Sequence, residues 1–497
     1  MPKTTILIGN NLNALKKLAD KSARCVVTSP PYWGLRDYGL PPVVWGGDPA
    51  CEHEWADAPL SSRRIRDGAT GGLHEGRAVN KMADNVMLNP KQGAFCQKCG
   101  AWLGTLGLEP TPELYVEHLV LIFREVKRVL ADDGTLWLNI GDSRAANRGY
   151  QVPDSKWCDV GNSRGMKASS FGMKPKDLVG IPWMVAFALR ADGWYLRSPI
   201  VWYKNNVKPE STKDRPTSSY EHVFLLTKSA KCYYDNYAVR EPSTGQKGAA
   251  ANFRRKTKDH LLPGQSATEH RLDRKPTKDN GTRNRRDVWS VEDNLVLLQW
   301  LSENHPEILD TYLSAQEEQK DVWFINTKGY KGAHFAVFPP ALVEPCILAG
   351  TSEKGKCPTC GAPWKRIVEK RKKPPGRADD KLYLAQAYRG NAQSKTWGAR
   401  KDLGGDPEPV VTIGWEPTCS CPPADPIPDI ALDPFGGAGT TALVASRLGR
   451  DCILIDASEV YCVNLAAPRI KNDAPMFNQV SIVNVETEDL TPTENVL

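Results

Sequence analysis

The sequence predicts an α/β protein, an open and mostly parallel sheet with helices packed on its faces, and three stretches carry that reading. The first is the apolar run Cys25-Val26-Val27, followed by Thr28-Ser29-Pro30-Pro31-Tyr32-Trp33. Such a run reads as a buried strand, and two successive prolines end it and open a loop at its C-terminal tip. The second is Ile430-Ala431-Leu432-Asp433, which gives way to Pro434-Phe435-Gly436-Gly437-Ala438-Gly439 and then Thr440-Thr441. Strand, glycine-rich turn and helix start in that order admit a nucleotide-like ligand close to the backbone. The third is the strand Cys452-Ile453-Leu454-Ile455, one helix later, ending in Asp456 where an acid holds a ribose diol.

In chain order, Thr4 to Ile8 reads as a first strand, and Gly9-Asn10 ends it before a helical Asn13 to Ala19. The Ser29 loop suits a planar ring that carries an amino group. Ser29 offers a hydroxyl, Pro30 and Pro31 offer carbonyls, and Tyr32 and Trp33 offer flat faces. An exocyclic amine is a poor nucleophile because its lone pair is delocalised, and acceptors on its hydrogens let the nitrogen pyramidalise. The plainer alternative is a Ser-Pro-Pro turn whose aromatics close a core. Thr111-Pro112-Glu113 caps a helix whose apolar positions run from Leu114 to Leu130 at helical spacing. Asp133-Gly134 is expected to end it before the strand Thr135 to Ile140, with Gly141-Asp142-Ser143 at its tip as a pocket wall or an ordinary turn. A basic loop spans 144–176. Ile181 to Leu189 reads as a helix, and Ile200 to Lys204 pairs with Glu221 to Leu226 as an antiparallel edge. Lys208 to Pro216 between them reads as phosphate contact or solvated turn.

The chain has 497 residues, 40% hydrophobic and 25% charged, which is ordinary globular composition. No apolar run is long enough for a membrane span, and the start Met1-Pro2-Lys3 lacks a signal-peptide pattern, so a cytoplasmic protein is expected. The net charge of +7 is modest, which makes its distribution the useful quantity. Few large apolar residues occupy 241–289, while Arg254, Arg255, Lys256, Arg283, Arg285 and Arg286 fall there among other cations. A segment of that kind is shaped by a polyanion or is a linker.

Thirteen cysteines, several in Cys-x-x-Cys pairs, argue for metal in a reducing compartment rather than for disulfides. Cys51 and His53 at one end of a Gly-rich insertion, with Cys96 and Cys99 at the other, make a four-ligand zinc set. Cys357, Cys360, Cys419 and Cys421 bracket a second insertion and make an all-cysteine set. Both are expected to be structural.

Taken together, the Ser29 loop, the glycine-rich turn, Asp456 and His334-Phe335-Ala336-Val337-Phe338-Pro339 resemble the motifs of the β class of amino-methyltransferases acting on DNA. The resemblance covers nearly the whole chain. It implies a Rossmann-like S-adenosylmethionine-dependent methyltransferase sheet, mixed with an antiparallel edge, in permuted motif order, to which the two cysteine sets add zinc-ribbon-like insertions. It assigns catalysis to Ser29, Pro30, Pro31 and Tyr32, and cofactor binding to Asp433, Phe435, Gly437, Gly439, Thr440, Asp456, Asn10 and Phe338. Asn10 departs from the aspartate usual in the family. Ser at position 29 leans toward the N4 amine of cytosine, since enzymes on adenine N6 more often carry Asp or Asn there. The implied partner is double-stranded DNA, with a cognate restriction endonuclease allowed by the family and the oligomeric state left open. Target recognition falls in the basic segment and a helical Asn294 to Gln319.

Carbon-5 methylation of cytosine would need a Pro-Cys nucleophile, and Pro345-Cys346 lies in the apolar helical run Leu342 to Leu348 instead. A zinc-containing DNA-binding protein with an inactive cofactor site is a reading from another class, and an NAD enzyme lacks a second nucleotide half. The expected organisation is a catalytic domain at 1–40, 105–240, 321–352 and 425–484. Zinc-binding insertions fall at 41–104 and 353–424, a target-recognition region at 241–320 and a tail at 485–497.

Overall fold

The computed structural model describes residues 2–35, 37–56, 93–145, 172–204, 207, 212–242, 282–289, 338–370, 410–475 and 478–485. Arg254, Arg255, Lys256, His334 to Val337, the helix expected at Asn294 to Gln319 and most of the loop at 144–176 lie outside these residues.

The strands are β1 (Lys3–Ile8), β2 (Ala23–Thr28), β3 (Val43–Trp45), β4 (Ala94–Phe95), β5 (Trp102–Gly104), β6 (Leu130–Ile140), β7 (Tyr195–Tyr203), β8 (Tyr220–Thr227), β9 (Glu241–Pro242), β10 (Thr282–Arg283), β11 (Val288–Trp289), β12 (Trp364–Lys370), β13 (Val410–Pro417), β14 (Ile430–Asp433), β15 (Asp451–Asp456) and β16 (Gln479–Asn484). Nine of them form one sheet in the order β11-β7-β8-β6-β2-β14-β15-β1-β16. The run from β6 to β16 is parallel, and β8 is antiparallel to both its neighbours. The expected antiparallel edge is present, with β11 added outside it in parallel to β7.

Alternation along the strands feeds two layers. Leu7, Val26 and Leu136 face a core formed with α1 (Asn11–Lys16), α2 (Pro112–Val129) and α3 (Ile181–Ala191). Ile6, Cys25 and Trp137 face the other way, onto α4 (Pro340–Gly350), α5 (Thr440–Arg447) and α6 (Ala467–Asp473). Because both faces are covered, the central strands are apolar throughout rather than alternating. Cys346 on α4 is 1% exposed, a packing residue as its apolar neighbours imply.

Thr111 caps α2 as expected, its hydroxyl accepting from Leu114 N at 3.2 Å. Asp133-Gly134 does not end that helix. Leu130 is already extended, and β6 starts there with an irregularity between the pairs Ala23–Leu130 and Cys25–Thr135. A Cβ at Gly134 would lie 2.7 Å from the Arg24 carbonyl oxygen, so glycine lets the two strands close on each other. The strand β16, at the far edge beside β1, has no counterpart in the sequence reading.

Candidate active site

The loops after β2 and β14 meet because their strands are neighbours, with Ala431 beside Cys25 and Leu432 beside Val26. Ser29 and Pro31 from the first loop line one cavity with Phe435, Gly437 and Thr440 from the second. Asp456, Asn10 and Phe338 complete that wall, so six of the eight residues assigned to a cofactor share it. Val43 and Trp45 from the first insertion, with Thr105 and Leu106 just after it, also line the cavity.

Asp433 and Gly439 do not line the cavity. Asp433 is 1% exposed and turned into the protein. Its Oδ1 accepts from Thr28 Oγ1 at 2.6 Å and Phe435 N at 3.0 Å, and Thr441 Oγ1 lies 2.8 Å from Oδ2. It therefore fastens β2 to the glycine-rich loop, and burial pushes its pKa up to about 6. Gly439 has φ +73°, and a Cβ there would stand 3.0 Å from Ala466 Cβ, so this position needs glycine to start α5 against its neighbour.

The donor set around the cavity fits a nucleoside-bearing group. Asp456 Oδ2 accepts from Gly437 N and Oδ1 from Ser458 N, both at 2.8 Å, which leaves carboxylate lone pairs for hydroxyls. Phe435 and Phe338 supply apolar faces. Asn10 caps α1, its Oδ1 accepting from Leu12 N at 3.0 Å and Asn13 N at 3.3 Å, while Asn11 Nδ2 donates to the Pro434 carbonyl.

The proline-rich loop is held from three sides. Pro30 is buried beneath it, and the Pro31 carbonyl accepts from Tyr115 Oη at 2.7 Å, which occupies one of the acceptors expected to face an amine. Trp33 is 5% exposed and its Nε1 donates to the Glu109 carbonyl at 2.9 Å, so this aromatic closes the core. Ser143 Oγ donates to the Trp33 carbonyl at 2.8 Å. Asp142 Oδ1 accepts from Ser143, Gly180 and Ile181 N at 2.8, 2.9 and 3.0 Å, serving the start of α3, whose own N-cap Gly180 has no side chain to do so.

Tyr32 enters a polar cluster that the sequence reading missed. Its hydroxyl donates to Glu221 Oε2 at 2.9 Å and accepts from Asn139 Nδ2 at 3.0 Å. Lys204 Nζ donates to Glu221 Oε1. The two strands bearing Glu221 and Lys204 were visible in the sequence, but nothing in their pattern marks these polar positions as inward.

Both cysteine sets converge. Cys51, His53, Cys96 and Cys99 have their ligand atoms within 4.8 Å of one another, as do Cys357, Cys360, Cys419 and Cys421. Ligands on a tetrahedron with bonds of about 2.3 Å to sulfur and 2.0 Å to nitrogen stand roughly 3.8 Å apart for two sulfurs and 3.5 Å for sulfur and nitrogen. Cys51 Sγ lies 3.9 Å from Cys96 Sγ, and Cys99 Sγ 3.4 Å from His53 Nδ1. Backbone N–H groups of Cys360 and Thr359 bring the Cys357 thiol down to about 6.

Arg283 lies on β10, and Arg285 and Arg286 follow it half-buried. The charge of Arg285 acts on Tyr234 and on the core thiol of Cys346, both pushed up chiefly by burial. No helix among the described residues is long and apolar enough to cross a membrane.

A sheet of this order, with a proline-rich loop and a glycine-rich loop sharing one cavity, is accompanied by a match of residues 23–357 and 419–467 to the N6/N4 family model described as DNA methylase, and the chain belongs to that family. Its relatives include the Type II methyltransferase M.XycI of Xanthomonas campestris pv. cyanopsidis, 36% identical over 70% of this chain and 73% of that protein. The Type II methyltransferase M.SmaI of Serratia marcescens is 29% identical over 94% of this chain and 90% of its own. Among solved structures, the PvuII DNA methyltransferase (cytosine-N4-specific) is 13% identical, with 97% of each chain covered and a TM-score of 0.38. A DNA modification methylase from Thermus thermophilus, complexed with S-adenosyl-L-methionine, is 14% identical over 97% of this chain and 98% of that one, with a TM-score of 0.38.

Proposed function

We propose that the chain transfers a methyl group from S-adenosylmethionine to the N4 amine of a cytosine flipped out of double-stranded DNA. The observation that carries the reading is Ser29, a hydroxyl on the wall of the same cavity as the glycine-rich loop. Asp456 would hold the ribose hydroxyls of the cofactor, Phe338 and Phe435 its adenine, and Gly437 and Thr440 the adjoining loop side. When bound, that cofactor supplies an electrophilic methyl group on a sulfonium. Ser29 Oγ and the Pro30 carbonyl accept the amine's two N–H bonds and keep its lone pair free for attack, while the Tyr32 ring stacks on the extruded base. Catalytic loop before cofactor loop is the permuted order of the family's β class.

Zinc in both cysteine sets, each a structural insertion, belongs to the same proposal, as does contact between the basic segment 254–286 and DNA. A cognate restriction endonuclease is the natural companion of such an enzyme, and the cytoplasm its place of action. Purified protein should carry two zinc ions per chain by elemental analysis. Nucleoside analysis of treated DNA should yield N4-methylcytosine, and N6-methyladenine would overturn the choice of base. Ser29→Ala should lower turnover about a hundredfold to a thousandfold with cofactor affinity retained, as for the loss of one well-placed transition-state hydrogen bond. Parent-level turnover in that variant would remove Ser29 from the mechanism.

A further inference from the structure

We propose that Glu221 is the terminal proton acceptor of the reaction, reached from the target amine through the hydroxyls of Ser29 and Tyr32. The proposal rests on the amino-methyltransferase reading above. Each methyl transferred releases one proton. The N–C bond forms as the C–S bond breaks, sulfur keeps that electron pair, and the nitrogen must then lose a hydrogen to return to neutrality.

A path for that hydrogen exists among the side chains. Ser29 Oγ donates to Tyr32 Oη at 3.5 Å, and Tyr32 Oη donates to Glu221 Oε2 at 2.9 Å. Both donors point the same way, from the cavity wall to a carboxylate. With its own hydrogen committed to Tyr32, Ser29 Oγ keeps lone pairs for the amine. The amine proton passes to Ser29 Oγ as the serine proton passes to Tyr32 Oη and the tyrosine proton to Glu221 Oε2. Both hydroxyls end as they began, and Glu221 ends as a neutral acid. No phenolate needs to persist, which suits a ring whose ionisation is opposed first by burial and then by the Glu221 charge. The first link is long, as catalytic hydrogen bonds commonly are before reactants bind.

The surroundings hold this chain of donors in place. Asn139 Nδ2 donates to Tyr32 Oη at 3.0 Å and to Glu221 Oε2 at 3.3 Å. Turned over, that amide would set its oxygen against the carboxylate, so its orientation is fixed. Asn139 Oδ1 is then left buried with no hydrogen-bond partner among the described residues. A Cβ at Gly141 would stand 2.5 Å from Tyr32 Cε2, so the ring lies against the backbone beyond β6 and cannot swing that way. The titratable groups around Glu221 are Tyr32, Lys204 just past the end of β7 and His222, its neighbour on β8. Asp142 acts on His222 from beyond β6.

Single-turnover methylation of a DNA duplex by the full chain tests the relay, using Glu221→Gln and Tyr32→Phe, the second of which keeps the stacking ring. Both should slow the step by about a hundredfold or more, the usual worth of a positioned proton acceptor, with cofactor and DNA affinities unchanged. Difference infrared spectra should show a protonated carboxyl appearing with turnover in the parent and not in Glu221→Gln. A Glu221→Gln protein that works at the parent rate, still shows the protonated-carboxyl signal or fails only through weaker binding overturns the relay and leaves the function standing. If the parent itself forms no methylated amine, the functional reading falls first and the relay with it.

Discussion

Two buried aspartates bracket the short strand β14 and answer the same problem differently. Asp429 is 0% exposed and meets a cation: Arg24 Nε donates to its Oδ1 at 2.8 Å, while Ser352 N donates to Oδ2 at 2.8 Å. Arg24 also reaches Asp133 and the carbonyl of Gly361, so the second cysteine module is tied through it to the entry end of β2. Asp433, at the cavity end, meets hydroxyls and a backbone N–H but no cation. Burial of a charge demands either a counter-charge or a proton. The base of the sheet uses the first solution, and the cavity end leans on the second.

Thr441 makes the contrast sharper. Its hydroxyl lies 3.1 Å from the Val27 carbonyl as well as 2.8 Å from Asp433 Oδ2, and it has one hydrogen for two acceptors. A protonated Asp433 removes the conflict by donating to Thr441, which then donates to Val27.

Removing the counter-charge should have the largest effect. Arg24→Met strands a buried carboxylate and should cost about 3–5 kcal/mol of stability in denaturant unfolding. A smaller loss would mean that water or another cation reaches Asp429.

Next in size is the effect at the cavity end. The folded pKa of Asp433, about 6, lies above the ordinary aspartate value of 3.8. Between those values the folded chain holds a proton that the unfolded chain has released. The resulting stabilisation is complete below the unfolded value and is lost as pH rises from 3.8 to about 6. Asp433→Asn keeps a neutral donor toward Thr441 and should escape this loss, gaining up to about 3 kcal/mol on the parent between pH 3.8 and about pH 8. Urea midpoints measured across that range check it, and an unchanging gap would mean that Asp433 does not titrate there.

The smallest effect is expected where the same chemistry is exposed. Lys21 and Asp132 lie 2.6 Å apart near the Arg24 network, with side chains 59% and 64% exposed. Lys21→Ala should leave the urea midpoint where it is, because water already solvates both charges.

What the sequence made legible follows the same division between exposed pattern and buried geometry. Proline and glycine punctuation located the Ser29 and Gly437 loops, apolar runs located β2, β14 and β15, and paired cysteines located both clusters. The inward turn of Asp433 was not legible, because an acid at a strand end beside a glycine-rich turn looks the same whether it faces a ligand or the core. Asn139 and Glu221 were missed because a polar residue in a strand reads as solvent-facing. Only the register beside β6 turns both toward Tyr32. The strand β16 was missed because its mixture of polar and apolar residues fits an edge strand and a terminal tail equally well.

The order of strands in the sheet also sets a schedule for synthesis. β1 is made before the other eight strands of its sheet, yet both its neighbours come from far later in the chain, with Ile6 beside Leu454 and Ile482. At translation rates of about 5–20 residues per second, that first strand waits roughly twenty to ninety seconds for its partners. Ile6 and Leu7, fully buried in the finished fold, stay without their sheet until then. A ribosome that stalls before β14 leaves Ser29 without the loop that faces it, so half-made chains carry no cavity. Only synthesis through Asn484 completes the sheet.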